Sequence, residues 1–320
     1  MAKDERTGRS ARRLDDAARA AWLYYISGKT QDEIASVLGV SRQSAQRLVS
    51  QAMAAGMVKV RIDHPIAACL SLAERLKSEL GLTMAEVVPT LPGEGGPLAA
   101  VASATSACIE EWLEREEPLV AGFGTGRTLR AAVEQMPRLA CAQHKIVSLT
   151  GNISIDGSTA YYNVLFSLSD RVDAPTYPLP MPVIASSPEE REMIVGQKAI
   201  RRTMDLAGAA EVAFVGIGGV SEVAPLVLDG FLSRQDLDAL RAAGAVGEIL
   251  GRTYDSQGAE IGARAARRVT SMPLSELANG RSVIAAATGT AKLPAIAGAI
   301  RGGLITGLIT DEATATALLG

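Results

Sequence analysis

The stretch TQDEIASVLGVSRQSAQRLVSQAMAA, residues 30–55, reads as two short helices joined by a tight turn. Thr30 and Glu33 have the S/T-x-x-E spacing of a capping box, in which each side chain satisfies the other residue's free N–H, so a helix starts there. Ile34, Ala35, Val37 and Leu38 give it an apolar face, and Gly39 supplies the residue that tolerates positive φ where such a helix ends. Val40 fills the corner, and Ser41 is a good N-cap for the next helix. In that helix Ala45, Leu48, Val49, Ala52 and Met53 fall at core-facing spacing, whereas Arg42, Gln43, Gln46, Arg47 and Ser50 fall on the other face. Long Arg and Gln side chains there reach base edges in a major groove, Arg pairing with guanine and Gln with adenine. The pattern predicts a helix-turn-helix with Ser41, Arg42, Gln43, Gln46 and Arg47 at the DNA. Its rival is a hairpin that serves only as scaffolding.

Charge favours the DNA reading. Residues 1–61 hold eleven Lys and Arg against six Asp and Glu, net +5, whereas the whole chain carries −3, which leaves −8 for the rest. A basic N-terminal module on an acidic body suits a nucleic-acid reader joined to something that is not one.

At 320 residues there is room for a second domain of ordinary core size. A hydrophobic content of 48% with 21% charged residues excludes a disordered chain. No apolar run approaches the ~18 residues of a membrane span, and the N-terminus is polar, so the expectation is a cytoplasmic protein with no membrane partner. Cys69, Cys108 and Cys141 are widely spaced without a CxxC pair, so they read as structural thiols. With His64 and His144 the only histidines, neither a metal site nor a Ser/His/Asp site is indicated, and no cofactor is expected.

Outward from the motif, residues 14–27 read as a first helix with Leu14, Ala18, Ala21, Trp22, Tyr25 and Ile26 as its apolar stripe. Residues 57–62 alternate like a small strand, and His64-Pro65 punctuates the chain, because the residue before proline disfavours helix. The boundary is therefore placed near 62–66, giving a DNA-binding domain over 1–62 and a second domain over 66–320. In the second domain helices alternate with apolar runs at residues 85–90, 118–123, 144–151, 211–218, 281–288 and 303–310. Helices are expected at 66–80, about 98–114, 189–206 and 233–243. Such alternation argues an α/β domain around a mainly parallel sheet.

Several loops at strand ends can hold a ligand. In PLVAGFGTGRTLR, residues 118–130, an apolar run leads into Gly122, Gly124, Thr125 and Gly126, then a helix near Thr128. Glycines let backbone approach a ligand, and a helix N-terminus offers free N–H groups to an anion. The loop is neither a Walker A sequence nor a dinucleotide fingerprint, and a plain tight turn is the alternative. Gly218 stands in a second glycine loop, 216–219; Asp255 stands in the turn 253–258; Lys292 follows the strand 281–288. The simpler alternatives are that Asp255 caps its turn and that Lys292 is solvated. Ligands of open α/β sheets bind outside the carboxyl ends of strands, so these residues together suit a sugar or sugar-phosphate pocket.

The succession TQDEIASVLGVSRQSAQRLV, VAGFGTGRTL, GEILGRTYDSQGAEI and KLPAIAGAIRGGLITGLITDEATATALL resembles the SorC/DeoR-type sugar-binding transcriptional regulators over nearly the whole chain. The resemblance implies an effector domain similar to glucosamine-6-phosphate deaminase and ribose-5-phosphate isomerase behind a helix-turn-helix. It implies a homo-oligomer, a tetramer built as a dimer of dimers, that binds operator DNA of a catabolic operon under control of a sugar, polyol or phosphosugar. It assigns the loop 122–128 as phosphate or hydroxyl cradle, Asp255 as acceptor for effector hydroxyls and Lys292 as the cation opposite. Asp311 and Thr314 lie in the terminal motif, where capping the last helix is the simple alternative. The rival is an isomerase- or deaminase-like enzyme, whose chemistry needs a positioned acid–base set. The pocket loops offer Asp255 and Lys292 without a histidine, and the GIGGVSE stretch has only Glu222 beyond its glycines.

Overall fold

The capping box is formed: in the computed structural model the Thr30 hydroxyl accepts from the Glu33 N–H, and the Glu33 carboxylate accepts from the Thr30 N–H at 2.7 Å. The structure describes residues 14–55, 57–58, 66–93, 95–154, 157–158, 164–222, 224–228, 230–262 and 266–320. The first motif helix is Gln31–Leu38, ended by Gly39 at φ 66°, and Ser41 caps the second, Arg42–Ala54, by accepting from the Ser44 N–H at 3.2 Å. Both caps satisfy N–H groups that a helix leaves free, so the turn is specified locally, before any packing. Ile34, Ala35, Ala45, Val49 and Ala52 are buried, as are Ala17, Ala20 and Ala21 of the first helix.

The apolar stripe of that first helix differs from expectation. Leu14, Ala18, Trp22, Tyr25 and Ile26 are exposed. Residues 14–21 are α-helical, but Trp22–Ile26 winds as a π-helix. Its i→i+5 bonds widen the turn and carry Trp22, Tyr25 and Ile26 off the line of Ala17, Ala20 and Ala21, whereas Leu14 and Ala18 lie in the regular helix on its exposed side. Val37, Val40 and Met53 are also exposed, so the motif's core is narrower than the pattern suggested. Of the expected strand 57–62, Met57 and Val58 are irregular and the remainder lies outside the described residues, as do His64 and the N-terminal residues 1–13.

The chain divides into two units, Met1–His64 and Pro65–Gly320. In the second, seven strands form one sheet: β1 (Met84–Val88), β2 (Val120–Phe123), β3 (Lys145–Ser148), β4 (Thr176–Tyr177), β5 (Val212–Gly216), β9 (Ser282–Ala286) and β10 (Gly307–Asp311). Their order is β1-β10-β9-β5-β2-β3-β4, and every pairing is parallel. Parallel strands need crossovers, here mostly helical, and helices on both faces explain why the strands are apolar throughout. Along β5, Val212 and Phe214 enter one hydrophobic core, Ala213 and Val215 the other. Phe214 stacks on Phe123 of β2, ring centroids 5.2 Å apart.

A small antiparallel sheet, β6 (Gly218–Gly219), β7 (Gly247–Ile249) and β8 (Arg252–Tyr254), stands beside the main one and had no counterpart in the sequence reading. The helix expected over 189–206 is two helices, Pro188–Val195 and Lys198–Gly208, separated at Gly196–Gln197. The run expected over 303–310 becomes strand only at Gly307, because Gly303, at φ 63°, first turns the chain out of the helix Leu293–Arg301. His144 is fully buried: its Nδ1 accepts from the Leu119 N–H at 3.2 Å, so Nε2 carries the proton toward the Leu113 carbonyl at 3.1 Å. It ties the residue before β2 to the end of the helix Gly96–Leu113.

Gly302 ends the helix Leu293–Arg301 at φ −77°, a conformation open to alanine, but a Cβ there would meet the Gly258 backbone. Gly302→Ala is therefore expected to lower stability by about 1–3 kcal/mol, the usual cost of overpacking. Urea unfolding checks this; an unchanged midpoint would mean that the two glycines do not pack as described.

Candidate functional site

Because the strands are parallel, their carboxyl ends lie along one edge of the sheet, and the loops leaving four neighbours, β9, β5, β2 and β3, meet there around a cavity of about 850 Å³. Thr125, Gly126, Arg127 and Thr128 come from the end of β2, and Thr150 from beyond β3. Gly216–Ser221 leaves β5; Thr288, Gly289 and Lys292 leave β9. The β7–β8 hairpin closes the cavity with Glu248, Leu250 and Gly251. Its two-residue turn has positive φ at both Leu250 (57°) and Gly251 (78°), the type I′ geometry that matches strand twist.

Of the sequence-predicted ligand residues, Thr125, Gly126, Thr128, Gly218 and Lys292 line this cavity. Gly122 and Gly124 do not. A Cβ on Gly122 would lie 2.7 Å from Leu149 Cδ2, and one on Gly124 would lie 2.7 Å from Leu250 Cδ2. At both positions a side chain, Leu149 or Leu250, occupies the space a Cβ would need. Asp255 is likewise not among the residues that line the cavity. Its Oδ1 accepts from the Gln257 N–H at 2.8 Å and the Ala259 N–H at 3.0 Å, so the carboxylate is turned back into its own loop as a cap.

The cavity's carboxylate is Glu248, which the sequence reading passed over. Burial pushes its carboxyl above the usual range, while the Gly251 N–H, at 2.8 Å, and the nearby Lys292 act against that shift. Gly218 pairs with Glu248 across β6 and β7, and a Cβ on Gly218 would collide with the Glu248 carboxylate. An alanine there would make the Glu248 side chain move from this position. The signal was legible: one charged residue in the apolar run AVGEILG, beside a turn glycine, is a charge that needs a partner. Lys292 supplies it. Burial holds the lysine below its ordinary value, Glu248 opposes that, and Arg127 adds to it by repulsion.

The helix Arg127–Gln135 starts at Gly126 (φ 134°) with no side-chain cap, and its first internal bond runs from the Arg130 N–H to the Gly126 carbonyl. Among the described residues, the N–H groups of Arg127, Thr128 and Leu129 have no protein acceptor. Together with Arg127 and Lys292 they make a corner of positive potential fit for an anion. Thr150, 1% exposed, is the other residue missed; its Oγ1 has no partner among the described residues, a costly state for a buried hydroxyl. The cavity thus offers donors to an anion, a carboxyl, a lysine and hydroxyls. Among the described residues no group of His, Cys, Asp and Glu is arranged to hold a metal, and no helix is long and apolar enough to cross a membrane.

In the first unit Arg42, Gln43, Gln46, Arg47 and Ser50 are all exposed along one face of the second motif helix. Arg42 stands 3.6 Å from Asp32, both well exposed, a pair worth little to stability and free to exchange partners. Ser41 is exposed as well, with its hydroxyl engaged in the cap.

Comparison with known proteins places this geometry. The family described as "Putative sugar-binding domain" matches residues 64–320. The erythritol catabolism regulatory protein EryD of Brucella abortus is 35% identical over 304 residues, covering 95% of this chain and 96% of that protein. Transcriptional regulator LsrR of Klebsiella pneumoniae is 31% identical, covering 94% and 92%. The crystal structure of the full-length sorbitol operon regulator SorC from Klebsiella pneumoniae superposes with a TM-score of 0.71 at 26% identity, over 96% of this chain and 99% of that one. The chain belongs to the SorC/DeoR-type family of sugar-binding transcriptional regulators.

Burial sets the sign of a pH effect. A carboxyl held above its unfolded value binds a proton more readily in the native state, so native stability falls as pH rises out of the carboxylate range. Glu248→Gln does not titrate; its stability relative to wild type is expected to rise between pH 4 and pH 7. Urea unfolding at each pH checks this, and parallel curves would count against a buried acid.

Proposed function

We propose that the protein regulates an operon for uptake or breakdown of a small polyol or sugar, binding operator DNA through Arg42, Gln43, Gln46 and Arg47. A polyol, sugar or phosphosugar in the strand-end cavity sets operator affinity. The observation that carries this reading is the cavity itself, with its helix N-terminus, Arg127, Lys292 and Glu248 facing one enclosed space. The N–H corner suits a phosphate; Glu248 and Thr150 suit hydroxyls. The relative EryD is named for erythritol catabolism, which makes erythritol and its phosphate monoester the first compounds to test. Regulation, not turnover, fits the cavity: it offers no histidine as acid or base, and His144 is engaged in the fold. Incubation with sugar phosphates should therefore give no product.

One recognition helix covers too little DNA for specific regulation, so the working form is a symmetric oligomer, a dimer or tetramer, on a partly palindromic site. Light scattering that returns a monomer at working concentration would contradict this. On its own promoter DNA, Gln43→Ala or Arg47→Ala should weaken binding by about 1–3 kcal/mol if the side chain reads a base. The response to effector should persist in both variants. Fluorescence anisotropy with labelled operator measures both quantities, and wild-type affinity in both variants would remove this face from the interface.

A further inference from the structure

β10 ends in Asp311, only 2% exposed, yet Asp311 does not line the cavity. Its side chain does not cap the helix Glu312–Leu319 that follows. The carboxylate instead accepts three hydroxyls: Thr90 at 2.7 Å on Oδ2, and Thr288, at 2.6 Å, together with Thr314 on Oδ1. Each hydroxyl has one proton to give, so all three are committed to Asp311. Their oxygens accept in turn, Thr90 from the Ala313 N–H and Thr314 from the Gly289 N–H, each at 2.9 Å. Burial pushes the carboxyl up, but the hydrogen bonds from Thr288, Thr314 and Thr90 together leave it below the ordinary aspartate value.

Two stretches of cavity wall hang on this network. One is the loop after β9, where Thr288 and Gly289 line the cavity and the Gly289 carbonyl accepts from the Lys292 N–H at 2.9 Å. The other is the segment beyond Thr90, which brings Gly95, Pro97 and Leu98 to the cavity. We propose that Asp311 is a positioning residue of the effector cavity: it ties the loop bearing Lys292 to the segment after β1 and so sets where the lysine stands. The inference rests on reading the cavity as the effector site. An acceptor-only carboxylate is needed, because an amide in its place would aim N–H groups at hydroxyls that must themselves donate.

The test compares wild type, Asp311→Asn and Thr90→Val, with erythritol and its phosphate monoester as probes. Operator affinity is measured without probe, and then the probe concentration giving a half-maximal change in operator binding. Asp311→Asn should need at least about tenfold more probe, as for a lost charged hydrogen bond, while its probe-free operator affinity stays within about twofold of wild type. Thr90→Val, which removes one of three donors outside the cavity, should move the same way by less. Wild-type probe response in both variants overturns the inference alone, as does an equal loss of probe response and operator affinity, which is the mark of general destabilisation. Should Asp311→Asn fail to fold, Thr90→Val decides by the same criteria. A wild type that answers neither probe overturns the small-polyol reading of the cavity, and this inference with it.

Discussion

Everything in the second unit depends on seven strands running in one direction. That single constraint puts all carboxyl ends on one edge, where the loops leaving β9, β5, β2 and β3 enclose a common space. It also forces the long crossovers whose helices bury both faces of the sheet. With its backbone hydrogen bonds already paired in the ladder, the sheet is a rigid base from which short loops present polar groups. The result is a cavity whose chemistry is set by a few residues and whose shape is set by the whole sheet.

Inside that space Glu248 and Lys292 stand near enough to feel each other's charge. Each charge is costly to bury alone, and each lessens the cost of the other. They arrive from different parts of the chain, the acid from a hairpin and the lysine from the loop after β9, and both line the one cavity. Arg127 and the uncapped helix start beside it tilt the balance toward positive potential. On the proposed reading, a ligand with both an anionic group and hydroxyls meets complementary partners there.

The parts of the molecule legible in sequence are those specified locally. Thr30, Glu33, Gly39 and Ser41 fix two helices and a turn within a dozen residues, and apolar β-branched runs mark the longer strands. What escaped is tertiary. β6, β7 and β8 are two or three residues each, too short for alternation to show. Gly122 and Gly124 look like ligand glycines until Leu149 and Leu250 are seen to fill the space beside them. Asp255 and Glu248 are both carboxylates beside a glycine turn, seven residues apart. Only the pairing of Glu248 with Gly218 reveals which one faces the cavity. The π-turn at Trp22–Ile26 defeated the helical stripe because the stripe assumes a constant 3.6-residue period.

On the proposed reading, one cavity, at the ends of four strands, receives the molecule that controls DNA binding. The most direct test is a crystal structure of the protein with whichever of erythritol or its phosphate ester alters operator binding. The account predicts electron density between Lys292, Glu248 and the N–H groups of residues 127–129, with a ligand hydroxyl close to Thr150. Density against the Asp255 turn, or anywhere else with the strand-end cavity left empty, would contradict it.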